Sequence, residues 1–335
     1  MTMHRTGRSG PARRGWRQVS RWVCHAALVA TTSVGLSVAN AAAADRLPFN
    51  AAGDFSEAAL RRGVQASKEA CDTIDNAVWA STREHGQECL RYWAAGFNGK
   101  QVTRALVFFH GDVLTDNGVP PAYLKSTNAT VQHWAELTAR KLDVPFVFVG
   151  RPGTYGSSGD HTQRRRLAES MLISAGLDQL KTKLRVSEWV VAGQSGGGHV
   201  TSSLITERAD IVCAVPTSAP SSPRLRWLAK GLKKDTTGYS DSYEPGEHLQ
   251  AAKVHPKLRV FVLGNPADSN VPWHSQTIMA DRLKAAGIAV EVLSGEGLGP
   301  KAHGLPESAR AVASWCHHDL PTKEILRKAA AGLKG

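Results

Sequence analysis

The sequence predicts an α/β protein, in which a mostly parallel, eight-stranded sheet is covered by helices on both faces. Eight short apolar runs alternate with helical stretches along the chain, which is typical of a parallel sheet with crossover helices. The later runs are nearly continuous in Val, Phe, Leu and Ile, as expected of strands that are buried on both faces. No helical stretch separates the first two runs, so we expect them to pair as an antiparallel hairpin.

The elements follow one another in a regular order. An amphipathic pattern after Asp54, with Phe55, Leu60 and Val64, predicts a first short helix. The predicted strands are 77–80, 90–97, 105–109, 145–149, 189–192, 211–215, 258–263 and 289–293. The predicted helices are 129–142, 163–184, 197–208, 274–286 and 307–315.

One connection is longer than the others. Residues 216–256, called the excursion below, are rich in Ser, Pro, Lys and Gly and carry a predicted helix over 224–233. We interpret the excursion as a candidate lid over a site. The alternative is a plain surface loop with solvated lysines. Its aromatic residues Trp227, Tyr239 and Tyr243 are expected either to line an acyl or aromatic pocket or to pack onto the body of the protein.

The N-terminal segment has the features of an export signal. Six arginines and no acids occur in residues 1–44, and an apolar, small-residue run ends in four alanines before Asp45. This pattern predicts a secretory signal peptide over 1–44 and a secreted or periplasmic protein. Residues 45–335 are then expected to form a single domain without a membrane span.

The composition argues against a nucleic-acid partner. Removing six arginines and no acids lowers the formal net charge from +12 to +6, which is an ordinary surface charge. No run of basic residues alternates with aromatic residues after residue 45. The sequence does not decide the oligomeric state.

Four cysteines remain after the predicted signal. An even number in an exported chain indicates two disulfides. Spacing alone does not fix the pairing, and no cluster has zinc-ligand spacing, so no metal site is predicted. We expect Cys71 to pair with Cys89, because they flank the first strand, and Cys213 to pair with Cys316 if the last helix packs over the central strand.

A Gly-x-Ser-x-Gly pentapeptide, residues 193–197, directly follows the strand 189–192 and precedes a helix. In this strand–turn–helix context the pattern indicates a nucleophilic serine, here Ser195. The glycines allow a sharp turn that lifts the hydroxyl above the sheet. The alternative is a Gly-Ser turn without chemistry.

A serine hydroxyl needs a base, and the base needs an orienting acid. His303 lies in a glycine-rich loop after the last strand, and Asp268 follows the strand before it. Both therefore fall at carboxyl ends of strands, where ligand crevices form in such sheets. The rival residues are less well placed: Asp281, Glu291, His274, His317 and His318.

Two backbone N–H groups are candidates for an oxyanion hole. Gly196 follows the nucleophile, and Asp112 follows the strand end Phe109-His110-Gly111. Donors placed in this way stabilise the charge that develops in acyl transfer. His110 itself is interpreted as a residue that packs in the turn.

Three segments resemble α/β-hydrolases. The sequence Arg-Pro-Gly-Thr-Tyr-Gly-Ser at 151–157 resembles the Arg-Pro-Gly-x-Gly-x-Ser turn of that superfamily. Residues 264–272 are similar to the acid loop Gly-x-x-Asp-x-x-Val-Pro of prolyl-oligopeptidase-like and dienelactone-hydrolase-like members, and His303-Gly304 matches their catalytic His-Gly. The resemblance covers about residues 75–318, but only a few dozen residues stand where oligopeptidases carry a propeller, which disfavours a true oligopeptidase.

The resemblance implies an α/β-hydrolase fold, a triad of Ser195, Asp268 and His303, and no cofactor. The function expected is hydrolysis of a small carboxylic ester, or of a small peptide or amide, through an acyl-enzyme. An acyltransferase with the same triad and a non-catalytic ligand-binding protein of the same fold remain the alternatives, because one fold supports many functions.

Overall fold

The computed structural model describes residues 45–115, 118–249 and 253–335. The predicted signal peptide lies outside the described residues. Of the helices that the structure describes, none combines the length and apolar character needed to cross a membrane.

Two short strands precede the main sheet and pair in parallel, β1 (Leu47–Pro48) and β2 (Val64–Gln65). The main sheet has eight strands: β3 (Ala77–Ser81), β4 (Gln87–Ala95), β5 (Val102–Phe109), β6 (Phe146–Val149), β7 (Val186–Gln194), β8 (Ile211–Thr217), β9 (Arg259–Gly264) and β10 (Ala289–Ser294).

The strands of the main sheet follow the order β10-β9-β8-β7-β5-β6-β4-β3. Strand β4 runs antiparallel to both of its neighbours, β3 and β6, and the other pairs are parallel. The mostly parallel, eight-stranded sheet and the initial hairpin are therefore confirmed. The order places β5 and β7, whose ends carry the predicted site residues Asp112 and Ser195, next to each other.

The core lies on both faces of the sheet. Because side chains alternate along a strand, Leu106 and Phe108 of β5 belong to one apolar cluster, and Val107 and Phe109 belong to the other. All four side chains are buried. Burial on both faces explains why the central runs are continuously apolar instead of alternating.

The helices confirm the predicted alternation and add three short elements. They are α1 (Glu57–Arg62), α2 (Lys68–Asp72), α3 (Pro121–Leu124), α4 (Asn128–Leu142), α5 (Leu167–Lys183), α6 (Gly196–Glu207), α7 (Pro223–Ala229), α8 (Trp273–Ala285), α9 (Pro306–His317) and α10 (Thr322–Ala330). Helices α2, α3 and α10 were not predicted; α2 and α3 have only five and four residues, too few to show a clear helical period.

Two helix boundaries differ from the prediction. The helix predicted over 163–184 begins only at Leu167, because Arg165 has a left-handed φ of 65° that a helix does not accommodate. The helix predicted over 224–233 ends at Ala229, shortly before Gly231, whose φ is 69°.

The aromatic residues of the excursion pack onto the body of the protein. Trp227 and Tyr243 are buried, and the Tyr243 hydroxyl contacts Thr206 Oγ1 at 2.9 Å. Tyr239 bonds to the side chain of Gln163. The aromatic side chains thus anchor the excursion, and smaller residues of it, among them Pro220 and Thr236, face the cavity that contains Ser195.

The cysteines form two disulfides in the expected pairs. Cys71 is bonded to Cys89, and Cys213 is bonded to Cys316. The second bond closes a sequence separation of 103 residues and ties the central strand β8 to helix α9. That helix packs on the sheet at β7 and β8, as the pairing required.

Candidate active site

Ser195 occupies the turn between strand β7 and helix α6. Its φ of 56° and ψ of −119° lie in a region where a residue with a side chain is strained. A Cβ at Gly193 would overlap the backbone of Gly197, and a Cβ at Gly197 would overlap the carbonyl of Phe109. The glycines of the pentapeptide are thus required because backbone segments cross there in close contact.

Ser195 and His303 line the same cavity, which has a volume of about 350 Å³. Loops that follow strands β5, β7, β9 and β10 meet at this edge of the sheet, as expected of parallel strands whose carboxyl ends lie together. The structure therefore brings the serine, the histidine and the Asp112 loop to one place. Asp268 lies behind the histidine, with its side chain fully buried.

Asp268 holds the imidazole of His303. Nδ1 of His303 lies 2.6 Å from Oδ2 of Asp268. The other carboxylate oxygen, Oδ1, accepts the backbone N–H groups of Asn270 at 2.7 Å and Val271 at 3.0 Å. An ionised carboxylate with these donors fixes Nδ1 as the protonated nitrogen and leaves Nε2 as the acceptor.

Nε2 of His303 is buried and has no hydrogen-bond partner in the part of the chain that the structure describes. The hydroxyl of Ser195 is therefore not hydrogen-bonded to it in this structure, although both residues line the cavity. Hydrogen bonds of this kind often form with good geometry only when substrate is bound. The free nitrogen is an unsatisfied acceptor at the cavity wall.

Gln194, to which the sequence analysis gave no role, fixes the position of the His303 loop. Its Nε2 donates to the carbonyl of His303 at 2.9 Å, and its Oε1 accepts the N–H of Leu305 at 3.0 Å. The side chain next to the serine thus clamps the backbone on both sides of Gly304. The one sign of this role in the sequence is that Gln194 lies inside the pentapeptide. Its hydrogen-bond partners could not be predicted, because they are more than 100 residues away along the chain.

The two predicted oxyanion donors have no competing partner. Neither the N–H of Asp112 nor that of Gly196 donates a hydrogen bond within residues 45–115, 118–249 and 253–335. The Asp112 carboxylate lies directly against the Cα of Gly196, where an added Cβ would overlap Oδ1. The two residues are therefore neighbours in space beside Ser195.

The carboxylate of Asp112 is surrounded by three arginines. Oδ1 lies 2.9 Å from Nη1 of Arg151, and Oδ2 lies 3.1 Å from Nε of Arg164 and pairs with Nη1 of Arg165. Burial by itself raises the pKa of Asp112, but the three guanidinium groups outweigh it and hold this pKa well below its usual value. Asp112 is therefore a fixed anion in this loop.

Two further acids complete the ion cluster. Glu169 pairs with Arg151 at 2.7 Å, and Asp235 of the excursion pairs with Arg165 at 2.5 Å. Burial raises the pKa of Asp235, but Arg165 prevails and lowers it to about 2. Arg165 thus links the excursion to the loop that presents the N–H of Asp112. The resemblance pointed to Arg151 but gave no indication of this cluster.

Other histidines occupy structural positions. His110 lies with Nδ1 2.6 Å from the carbonyl of Gly111 and Nε2 2.9 Å from Oγ1 of Thr154, and burial lowers its pKa to about 3. His110 therefore packs in the turn as a neutral ring. Burial also lowers the pKa of His199 to about 4.

The rival residues lie away from Ser195. His274 lines a different cavity, beside Ser222 and Glu244, and His317 contacts the carbonyl of Arg104 at 3.1 Å. The remaining rivals lie within β10, within α8 or after α9 and do not line the Ser195 cavity: Glu291, Asp281 and His318. Among the described residues, no three His, Cys, Asp or Glu side chains are grouped so that they could hold a metal ion.

No family model matches the chain, and a comparison with curated proteins found no match. Solved structures do resemble it. An acylaminoacyl peptidase in complex with Z-Gly-Gly-Phe-chloromethyl ketone is 14% identical, over 75% of this chain and 43% of that chain, with a TM-score of 0.50. The chain thus spans less than half the length of that peptidase.

Two shorter proteins are also similar to the chain. Est1E from Butyrivibrio proteoclasticus, with ferulic acid bound, is 13% identical over 76% of this chain and 100% of that chain, with a TM-score of 0.49. A Pyrococcus furiosus esterase is 15% identical over 80% of this chain and 98% of that chain, also with a TM-score of 0.49.

At such identities a likeness to solved structures shows the fold alone. The sheet order, the turn at Ser195 and the match to the peptidase agree with one another. The chain has the α/β-hydrolase fold.

Proposed function

We propose that this protein is a serine hydrolase that cleaves a small carboxylic ester through an acyl-enzyme. The observation that carries the proposal is the Asp268–His303 hydrogen bond of 2.6 Å, with the unbonded Nε2 of His303 at the wall of the cavity that contains Ser195. An acid, a histidine and a serine on a strained turn, arranged in this way, are the elements of nucleophilic acyl transfer.

In the proposed reaction, Oγ of Ser195 attacks the ester carbonyl while Nε2 of His303 takes the hydroxyl proton. Asp268 stabilises the imidazolium that forms. The negative charge on the former carbonyl oxygen is received by the N–H groups of Gly196 and Asp112, each worth roughly 3 kcal/mol in the transition state. The imidazolium then protonates the departing alcohol, and a water molecule, deprotonated by His303, hydrolyses the acyl-enzyme.

The cavity supports a small substrate. Its volume of about 350 Å³ is at the lower end of the range for small-molecule sites. A short peptide or amide with the same reacting carbonyl would use the same steps. Ester bonds are the first choice because their alcohol leaves more readily than an amine.

The test is turnover of a graded series of p-nitrophenyl esters and aminoacyl amides by the purified protein and by Ser195→Ala. We expect ester hydrolysis by the wild type and a loss of about a millionfold in kcat in the variant, with an unchanged circular dichroism spectrum. A variant that keeps activity within tenfold of wild type would remove Ser195 from the mechanism.

We propose also that the protein is exported, with residues 1–44 as the signal peptide. The two disulfides are compatible with an oxidising compartment. N-terminal sequencing of protein recovered outside the cytoplasm is expected to begin at or near Asp45. Recovery of only full-length, reduced protein inside the cell would contradict export.

A further inference from the structure

The wall of the Ser195 cavity is strongly basic. Four of the described side chains that line it carry a positive charge, and Asp112 supplies the only carboxylate among them. The basic residues are Arg164, Arg165, Arg226 and Lys301. This distribution is unusual for a site that would take a neutral acyl chain, since such pockets are mainly apolar.

The carboxylate of Asp112 is not available to a substrate. Both of its oxygens are engaged by Arg151, Arg164 and Arg165. Asp268, behind His303, is likewise bound on both oxygens, to His303 on one and to two backbone N–H groups on the other. A cationic substrate would therefore meet no uncommitted carboxylate among the described residues of this wall.

Lys301, in contrast, is a basic residue of the cavity wall without a described carboxylate partner. Lys301 is exposed, two residues before His303, and no described carboxylate lies within ion-pair distance of its ammonium group. Its backbone is fixed to the acid loop, because the carbonyl of Lys301 accepts the N–H of Ser269 at 3.0 Å. The Lys301 backbone is thus fixed near the proposed base, and its side chain lines the cavity.

Two arginines add positive charge to the same wall. Arg226 is oriented by Asn270, whose carbonyl oxygen lies 3.2 Å from Nε and whose Oδ1 lies 3.1 Å from Nη2. Arg164 is buried, and its Nε has no hydrogen bond of good geometry in the described chain, although Asp112 lies 3.1 Å away. Burial lowers the pKa of Arg164 against the opposing effect of Asp112, so an additional anion nearby would stabilise its charge.

Another cavity among the described residues is lined largely by aromatic side chains. Its volume is about 440 Å³ and its lining includes Trp134 and Tyr155, but neither Ser195 nor His303 is among its described lining residues. It therefore does not offer the proposed nucleophile a place for a hydrophobic chain.

We propose that the substrate is a small ester that carries a carboxylate, which Lys301 binds at this basic wall while the ester carbonyl lies at Ser195. This inference rests on the proposed hydrolase function and names its substrate class. A charge-assisted hydrogen bond from an ammonium group to a carboxylate is among the stronger polar contacts available in proteins.

The experiment compares three ethyl esters of matched length. The first is monoethyl adipate, which carries a carboxylate; in the second a neutral branched alkyl group replaces the carboxylate, and in the third an ammonium group replaces it. We expect kcat/KM to fall in the order anionic, neutral, cationic, with the anionic ester preferred at least about tenfold over the neutral one. The preference should weaken as salt is raised from about 0.01 M to about 1 M, because the Debye length falls from about 30 Å to about 3 Å.

Variants of Lys301 test the assignment. Lys301→Gln is expected to lower the anionic-to-neutral ratio of kcat/KM about three- to tenfold, and Lys301→Glu should lower it further and raise the relative rate of the ammonium ester. The matched control is Lys284→Gln. Lys284 is also exposed but lies in the last turn of α8, whose C-terminal end points away from the cavity edge of the sheet, and its substitution should leave the ratio unchanged.

The outcomes separate this inference from the proposed function. Cleavage of the neutral ester at least as fast as the anionic ester, or an equal loss for both in Lys301→Gln, would overturn the substrate class and leave the hydrolase standing. No cleavage of any ester, together with no reaction of Ser195 with a serine-directed phosphonylating reagent, would overturn the proposed function itself.

Discussion

Nδ1 of His303 lies 2.6 Å from Oδ2 of Asp268, although the two residues are 35 positions apart and stand on loops after different strands. Strands β9 and β10 are parallel neighbours in register from Arg259 and Ala289 onwards. The loops that follow them therefore leave the same edge of the sheet side by side. This contact is a direct consequence of the parallel pairing.

The first prediction concerns this contact. Asp268→Asn should lower kcat for an activated ester by about ten-thousandfold, because an amide at this position would favour the wrong imidazole tautomer. Steady-state kinetics on purified protein measures the effect. Glu291→Gln is the control, since Glu291 lies within β10 and should retain activity. Full activity of Asp268→Asn would contradict the assignment of the acid.

The sequence predicted much of this site because chain order and strand ends suffice to place Ser195, Asp268 and His303. Each follows an apolar strand directly, and parallel strands bring such positions together. The ion cluster could not be predicted in this way. Asp235 lies 70 residues from Arg165, in an irregular segment whose path follows from tertiary packing, and a charged residue in a loop usually indicates only a solvated surface.

The path of the excursion could not be predicted from the sequence for the same reason. The sequence showed aromatic residues in a long connection, but periodicity does not reveal which way an irregular segment turns them. In the structure, Tyr243 and Trp227 are buried against the body, and Pro220 and Arg226 line the cavity. The described part of the excursion therefore contributes residues to the cavity wall, and its movement as a lid stays a prediction.

The second prediction concerns the dependence of the rate on pH. kcat/KM should rise from the acid to the mildly alkaline range, because His303 accepts the serine proton only when its imidazole is neutral. Burial lowers the pKa of His110 to about 3 and of His199 to about 4, so both rings are already neutral in this range.

Measurement of kcat/KM from acid to mildly alkaline pH, on a chemically stable ester, tests this rise, which is called the acid limb of the profile below. The control variant is His303→Ala, which should lose both the activity and the limb. A flat wild-type profile would count against the assignment of the base. If His303→Ala kept both its activity and the acid limb, another residue would be the general base, and His274 would be tested next.

The third prediction compares two ion pairs that join neighbouring arginines to the excursion. The side chains of Arg165 and Asp235 are each 1% exposed, whereas those of Arg166 and Asp241 are 34% and 57% exposed. In Asp235→Asn, Arg165 keeps Asp112 as a partner, but the buried cluster holds one more positive than negative charge. We therefore expect the free energy of unfolding to fall by about 3 kcal/mol, the lower end of the range for a broken buried pair.

Asp241→Asn is the matched control. Its pair is exposed and screened by solvent, so we expect a loss below about 1 kcal/mol. Urea unfolding at neutral pH, with disulfides intact, compares the two variants. Equal losses would show that the Asp235 pair does not have the energetic role that its burial indicates.

The central claim of this account is that Ser195 is an activated nucleophile, and covalent labelling with a fluorophosphonate tests it most directly. Folded wild-type protein is expected to gain one phosphonyl group, located by peptide mass mapping on Ser195. His303→Ala should react far more slowly, and folded Ser195→Ala should gain no group. The absence of an adduct on the folded wild type, or an undiminished adduct on Ser195→Ala, would contradict the account.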